Sequence, residues 1–103
     1  MSARRLPAVL TKKAREDYRQ ILLHSFLTWG ERQQLAYNAA LLRALELIGN
    51  NPHIGRAIDD VRPGYRAYPV EQHVLLYRIR GGRASVSRII HSRMDARQAL
   101  GKR

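Results

Sequence analysis

Residues 73–91 read His-Val-Leu-Leu-Tyr-Arg-Ile-Arg-Gly-Gly-Arg-Ala-Ser-Val-Ser-Arg-Ile-Ile-His, and their reading decides the fold. Gly81-Gly82 stands between two runs rich in β-branched and aromatic residues, His73–Arg80 and Ala84–His91. Two glycines at that spacing accept the positive φ angles of a tight hairpin turn, so the runs pair antiparallel. Side chains alternate along a strand. Leu76, Arg78 and Arg80 therefore share one side and Leu75, Tyr77 and Ile79 the other; in the second run Val86, Arg88 and Ile90 alternate with Ser87, Ile89 and His91.

Before the hairpin, Tyr65–Val70 is a third β-type run, with Pro69 near its end. Residues 53–64 (HIGRAIDDVRPG) read as an ordered loop, in which Asp59-Asp60 ahead of Pro63-Gly64 is turn chemistry. Two helical patterns come earlier. In the first, Ala14, Tyr18, Ile21, Leu22, Ser25 and Trp29 recur near the helical period after a Thr11 N-cap. Tyr18, Trp29 and Tyr37 are expected in the core. Gly30 stops the first helix, and a second runs from about Glu31 to Ile48 until Gly49-Asn50-Asn51-Pro52. So short a link makes the pair an antiparallel hairpin. Residues 4–10 (RRLPAVL) are an edge strand that must join the sheet, and Asp95 to Leu100 forms one helical turn. The fold class is α+β, ordered β-α-α-β-β-β: one domain over 1–103, with the helical hairpin packed on a small antiparallel sheet. The other sheet face, or its far edge, carries the arginines.

Composition narrows function. The chain has 103 residues, no cysteine and a formal charge of +11 from 19 basic and 8 acidic side chains. Disulfides, thiol catalysis and cysteine-held zinc are excluded, and a reducing cytoplasm fits. Residues 1–60 hold nine basic and six acidic groups, net +3; residues 61–103 hold ten and two, net +8. Sixteen of the basic residues are arginine, whose planar fork pairs with phosphate or carboxylate, although a high-GC coding bias also produces arginine. No apolar run is long enough for a membrane span, and the N-terminus lacks the pattern of a signal peptide. The four histidines, 24, 53, 73 and 91, show no metal-ligand spacing, and no glycine-rich phosphate loop occurs. No metal and no cofactor is expected.

An ordered set of motifs spans nearly the whole chain: L-T-K-K-A-R-E-D-Y (10–18), W-G-E (29–31), A-L-E-L-I-G-N-N-P-H-I-G-R (44–56), D-D-V-R-P-G-Y-R-A-Y-P-V (59–70), H-V-L-L-Y-R-I (73–79) and R-I-I-H-S-R-M-D (88–95). At this length and in this order the set resembles the ParE branch of the RelE/ParE toxin superfamily. The resemblance implies the toxin of a type II toxin–antitoxin system, of the kind linked to plasmid stabilisation and growth arrest. Its partners would be a ParD-like antitoxin and DNA gyrase, which ParE toxins poison. RelE-type relatives instead cleave mRNA on the ribosome, so ribosome and mRNA are the alternative partners. No membrane partner is implied, and the location is cytoplasmic.

The residues allow two sites. A metal-independent ribonuclease needs a base, an acid and cations around a phosphate, and Arg66, Arg78, Arg88 and His91 are the candidates. The tail His91-Ser92-Arg93-Met94-Asp95 lacks the aromatic end usual in such nucleases. A gyrase inhibitor needs an effector surface, for which Arg88, His91, Arg93 and Met94 on the last strand and tail are the candidates. Deleting the chain from Ser92 onward is then expected to remove toxicity and leave the fold. Plainer roles stand beside these: His91 capping a strand, and Arg66 pairing with Asp59 or Asp60 to pin the loop. Leu23, Phe26 and Leu27 cannot all face the sheet together with Ile21 and Leu22, so some are exposed. With Arg78 they are the candidate antitoxin-binding residues, a homodimer being the alternative use of the same patch.

Overall fold

The computed structural model describes residues 7–101. Its elements are β1 (Val9–Leu10), α1 (Lys12–Trp29), α2 (Glu31–Asn50), β2 (Arg56–Ala57), β3 (Tyr65–Val70), β4 (His73–Arg80), β5 (Arg83–His91) and α3 (Ala96–Leu100). The strands form one sheet in the order β1-β5-β4-β3-β2. The meander β3-β4-β5 is antiparallel as expected, and Gly81 and Gly82 turn it with φ of +56° and +75°. Two features differ from expectation. The sheet is mixed, because β1 runs parallel to β5, pairing Val9 with Ser85 and Leu10 with Val86. The expected loop also contributes β2, two residues paired with Ala67 and Arg66. Residues 4–6 of the expected first strand lie outside the described residues.

Helix α1 and the start of α2 lie where the sequence says, and α2 runs two residues past its expected end. Thr11 Oγ1 accepts the Ala14 N–H at 3.1 Å, the N-cap bond that satisfies one free donor of α1. Gly30, at φ +93°, ends α1 and opens α2 in one residue. Helix α2 continues through Gly49 and Asn50 before the Asn51-Pro52 break. Leu41, Ala44, Leu45 and Ile48 of α2 and Ala14 of α1 pack on Leu75, Tyr77, Ala84, Val86 and Ile89 to form the main core. Tyr18 and Tyr37 pack against it, but Trp29 is 70% exposed, because the last turn of α1 carries it clear of the core.

The sheet is buried on its other face too. Ile58, Tyr65, Ala67, Leu76 and Ile90 form a second core, covered by Val61 and by Ala96, Ala99 and Leu100 of α3. The arginines therefore do not own that face, and the tail is a lid on apolar side chains. Its deletion would uncover Leu76 and Ile90, which speaks against a tail that can be lost without cost to the fold.

A bulge separates the two cores. Leu76 pairs with Arg88 but Tyr77 with Val86, leaving Ser87 as the extra residue of β5. Val86 therefore faces the helices while Arg88 and Ile90 face away, not all on one side as simple alternation has it. Beyond Leu10 the outer edge of β5 has no strand partner, and α1 supplies one from side chains. Thr11 Oγ1 donates to the Ser87 carbonyl at 3.1 Å, and the Asp17 carboxylate accepts the Ile89 N–H at 3.0 Å. The same carboxylate takes Arg88 in a two-pronged pair, Nε at 2.7 Å and Nη2 at 3.3 Å, and Arg88 Nη1 donates to the Ala99 carbonyl at 2.9 Å. One ion pair thus ties α1, β5 and α3 together.

With Arg88 and Asp17 only 20% and 11% exposed, their pair is poorly screened. The Asp17→Asn variant is expected to lose about 2–3 kcal/mol of stability in urea unfolding. A loss below about 0.5 kcal/mol, the level of a solvated surface pair, would refute the interlock.

Candidate functional site

The four ribonuclease candidates stand on opposite sides of the sheet. Arg66 pairs with Tyr77 and His91 with His73, which puts both on the helix-bearing face. Arg78 pairs with Tyr65 and Arg88 with Leu76, which puts both on the other. Two of the cations are also in structural use. Arg88 is bound as described, and Arg66 Nη1 donates to the carbonyls of Gly55 at 2.7 Å and His53 at 3.3 Å. Arg66 thus pins the loop, but through carbonyl oxygens. Asp59 instead accepts the Gly64 N–H at 2.8 Å, closing the 59–64 turn.

That loop has a second anchor. Tyr77, fully buried, donates its hydroxyl to the Pro52 carbonyl at 2.7 Å and accepts the Gly55 N–H at 2.8 Å. A Cβ at Gly55 would stand 2.5 Å from that hydroxyl oxygen, so the Asn-Pro-His-Ile-Gly stretch is glycine there by contact. An open depression of about 370 Å³ beside it is lined by Ile54, Arg56, Ala67, Tyr68, Pro69 and Val74, and none of the candidate site residues lines it.

The effector candidates divide likewise. Arg93 and Met94 are exposed in the turn between β5 and α3. His91 is half-buried; its Nδ1 accepts the Arg93 N–H at 3.1 Å, and its ring meets that of His73 edge to face, centroids 5.5 Å apart. Sequence reasoning misses this cluster because its members are 18 or more residues apart; only the cross-strand register joins them. Tyr37 of α2 completes it. Its hydroxyl lies 2.6 Å from His73 Nδ1 and accepts the Gln72 N–H at 3.1 Å, an arrangement that suits a neutral imidazole with its proton on Nε2. Burial first, then the like charges of His91 and His24, hold the His73 pKa below the ordinary imidazole value.

The exposure expected of part of the α1 apolar face is observed. Leu23, Phe26 and Leu27 are all exposed, Leu27 by 71%, while Ile21 and Leu22 pack inward. Trp29, Leu35 and Leu42 enlarge the apolar surface of the hairpin. Arg78 lies on the far side of the sheet from it. Among the described residues no group of three potential metal ligands occurs, and no helix is long and apolar enough to cross a membrane.

Comparison with known proteins agrees with this architecture. The family model for the ParE toxin of type II toxin–antitoxin systems, parDE, matches residues 8–96. The chain belongs to this family. Toxin ParE1 of Mycobacterium tuberculosis (strain ATCC 25618 / H37Rv) is 38% identical over 101 residues, covering 97% of this chain and all of the relative. Toxin ParE1 of Caulobacter vibrioides is 34% identical over 95 residues, 92% of this chain and 98% of the relative. A solved structure described as the chromosomal ParDE TA system from P. aeruginosa superposes with a TM-score of 0.72 at 19% identity, covering 86% of this chain and 98% of that one. That likeness shows a shared fold.

The His73 environment sets a pH dependence. A folded-state pKa below the unfolded value means that unfolding takes up protons; the contribution is present above the unfolded pKa of about 6.5 and is lost as pH falls through the folded one. Urea midpoints of the wild type should drop between about pH 7.5 and about pH 5, and drop less in His73→Gln. Equal drops in the two proteins would remove His73 from the account.

Proposed function

We propose that this ParE toxin arrests growth by inhibiting DNA gyrase in the cytoplasm, and that a ParD-like antitoxin neutralises it by covering the helical hairpin. The observation that supports an inhibitor over a ribosome-dependent nuclease is the division of Arg66 and His91 from Arg78 and Arg88 by the sheet. A phosphate poised for cleavage needs its base and its cations on one side. The exposed turn after β5 supports a protein-binding role instead. Arg93 and Met94, exposed and held up by α3, are the proposed contact with gyrase; Arg88 positions α3 beneath them, and His91 holds the turn through the Arg93 amide.

For the antitoxin, the exposed apolar stripe of Leu23, Phe26 and Leu27 on a chain of net charge +11 suits a flexible segment that is both apolar and acidic and that folds as it binds. Arg78, on the opposite face, contributes there only if the antitoxin also wraps round the sheet edge.

The test incubates the purified chain with gyrase, ATP and supercoiled plasmid, then treats with detergent and protease. Linear DNA should accumulate with dose. The Arg93→Ala/Met94→Ala double variant should need about tenfold more protein, the effect of truncating two modest anchors at an interface. Leu23→Ser/Phe26→Ser/Leu27→Ser should keep poisoning gyrase and escape the antitoxin. A chain that arrests growth without affecting gyrase would overturn the reading and direct the search to mRNA cleavage. A triple variant that still yields to antitoxin but no longer self-associates would reassign the stripe to a homodimer.

A further inference from the structure

The apolar surface of the helical hairpin has a counterpart of opposite character across the molecule. On the sheet face away from the helices, the half nearest the Gly81-Gly82 turn is not covered by α3. There the register sets Arg80 opposite Arg83 and Arg78 opposite Ser85, and all three arginines are exposed. The Arg78 guanidinium lies 5.6 Å from the centroid of the buried Tyr65 ring, and Arg62 lies 5.8 Å from the same ring. The Tyr65 hydroxyl meets Ser87 Oγ at 3.0 Å, which fixes the ring under the cations.

Among the described residues no carboxylate forms an ion pair with these arginines. Between Val61 and Met94 the sequence has one acidic residue, Glu71, and it sits in the turn at the other end of β4. Among the described residues the ion pairs are Lys13–Glu16 and Arg88–Asp17. Arg83 donates to the Pro7 carbonyl at 3.2 Å, a contact that orients it and leaves its charge uncompensated.

We propose that this face binds the phosphodiester backbone of nucleic acid without regard to base sequence. Three features separate a phosphate partner from an acidic peptide. Planar guanidinium forks match phosphate oxygens two at a time. Alternate residues of a strand repeat at about 6.6–6.8 Å, so Arg78 and Arg80 stand as a regular row, suited to a regular line of charge. A peptide interface also needs a cluster of apolar anchors inside its polar rim, and among the described residues the one exposed large apolar side chain beside these arginines is Val9, next to Ser85 at the strand edge. Among the described residues α3 and the 58–64 loop are packed over the other half of this face and the arginines stand on strands, so the contact is to backbone alone. The proposal does not rest on the gyrase reading, because it is tested by direct binding with no enzyme present.

The experiment measures anisotropy of a labelled 20-base-pair duplex and a 20-nucleotide single strand with the purified chain, over about 50–200 mM salt. Wild type should bind at least one of them, with log K falling linearly against log salt. Arg78→Ala/Arg80→Ala/Arg83→Ala should weaken binding about tenfold or more at the lowest salt and make the slope shallower by about 2–3, near 0.9 for each phosphate no longer neutralised. Arg19→Ala/Arg32→Ala/Arg43→Ala, which removes the same charge from exposed positions on the helices, should change affinity by less than about threefold. If the Arg78 variant proves unfolded by circular dichroism, Arg80→Ala/Arg83→Ala serves, with a slope change of about 2. The relative response of duplex and single strand identifies which backbone the face prefers. The proposal fails if the helix-side variant weakens binding as much as the sheet variant, if neither probe binds at about 50 mM salt, or if poly-glutamate of equal charge competes as well as the duplex.

Discussion

The carboxylate of Asp17 is where the two halves of this molecule are joined. A sheet edge exposes N–H and C=O groups that must be satisfied or shielded. Here β1 covers only Ser85 and Val86 of β5, and the chain then turns into α1. The ladder continues in side chains, Thr11 on the Ser87 carbonyl and Asp17 on the Ile89 amide. Because Asp17 also grips Arg88, and Arg88 grips the Ala99 carbonyl, the group that closes the edge also holds α3 over the second core. The cation at that carbonyl stands at the negative end of a short helix, and Arg62 does the same at the Leu100 carbonyl, 2.6 Å away. A five-residue helix has little stability of its own, so these contacts and the burial of Ala96, Ala99 and Leu100 are what keep it folded.

The bulge at Ser87 makes this possible. Without it, Arg88 would share a face with Val86 and point into the apolar layer under the helices, where a lone guanidinium is costly. With it, Arg88 emerges on the other face, within reach of the α3 carbonyl, while its Nε still meets Asp17 around the strand edge. Ser87 is held from two directions, its carbonyl by Thr11 and its hydroxyl by Tyr65. Such a device shifts the facing of every β5 residue beyond it and bends the strand locally.

Much of this architecture is legible in the amino-acid order. Gly81-Gly82, Thr11, Gly30 and Asn51-Pro52 punctuate the chain by backbone chemistry, and the apolar stripe of α2 repeats at the helical period, so helices and meander follow directly. The misses have physical causes. A two-residue strand such as Arg56–Ala57 carries no alternation to detect. A bulge has no signature of its own, and it inverts the parity on which any assignment of Val86, Arg88 and Ile90 depends. The second core is hidden in the sequence because its cover, Ala96, Ala99 and Leu100, is short and weakly apolar, although its spacing is helical. Trp29 falls outside the core because periodicity says which face a residue shares and not whether the core extends that far. The site suffers more than the fold, since histidines 73 and 91 and arginines 62 and 78 come together only through register and loop packing.

The same parity bears on what kind of chemistry the candidate residues can share. Each packed layer lies about 10 Å from the sheet it covers, and the sheet between the two layers is continuous. A change of rotamer moves a guanidinium several ångströms across one face; it does not carry it through the backbone ladder. Arg66 and His91 on one side and Arg78 and Arg88 on the other are therefore kept apart by topology. Arg88 and His91 stand an odd number of residues apart on β5, both beyond the bulge, so neither its removal nor a one-residue slip would put all four round one phosphate, and a slip inverts every buried side chain of that strand. The chain has put two of these arginines to work on backbone carbonyls and left others, outside the ion pairs of the described residues, on the opposite side of the molecule from its exposed apolar stripe. Two surfaces of such different chemistry, held apart by a rigid sheet, suit a protein that meets two kinds of partner at once better than one that encloses a single reacting bond.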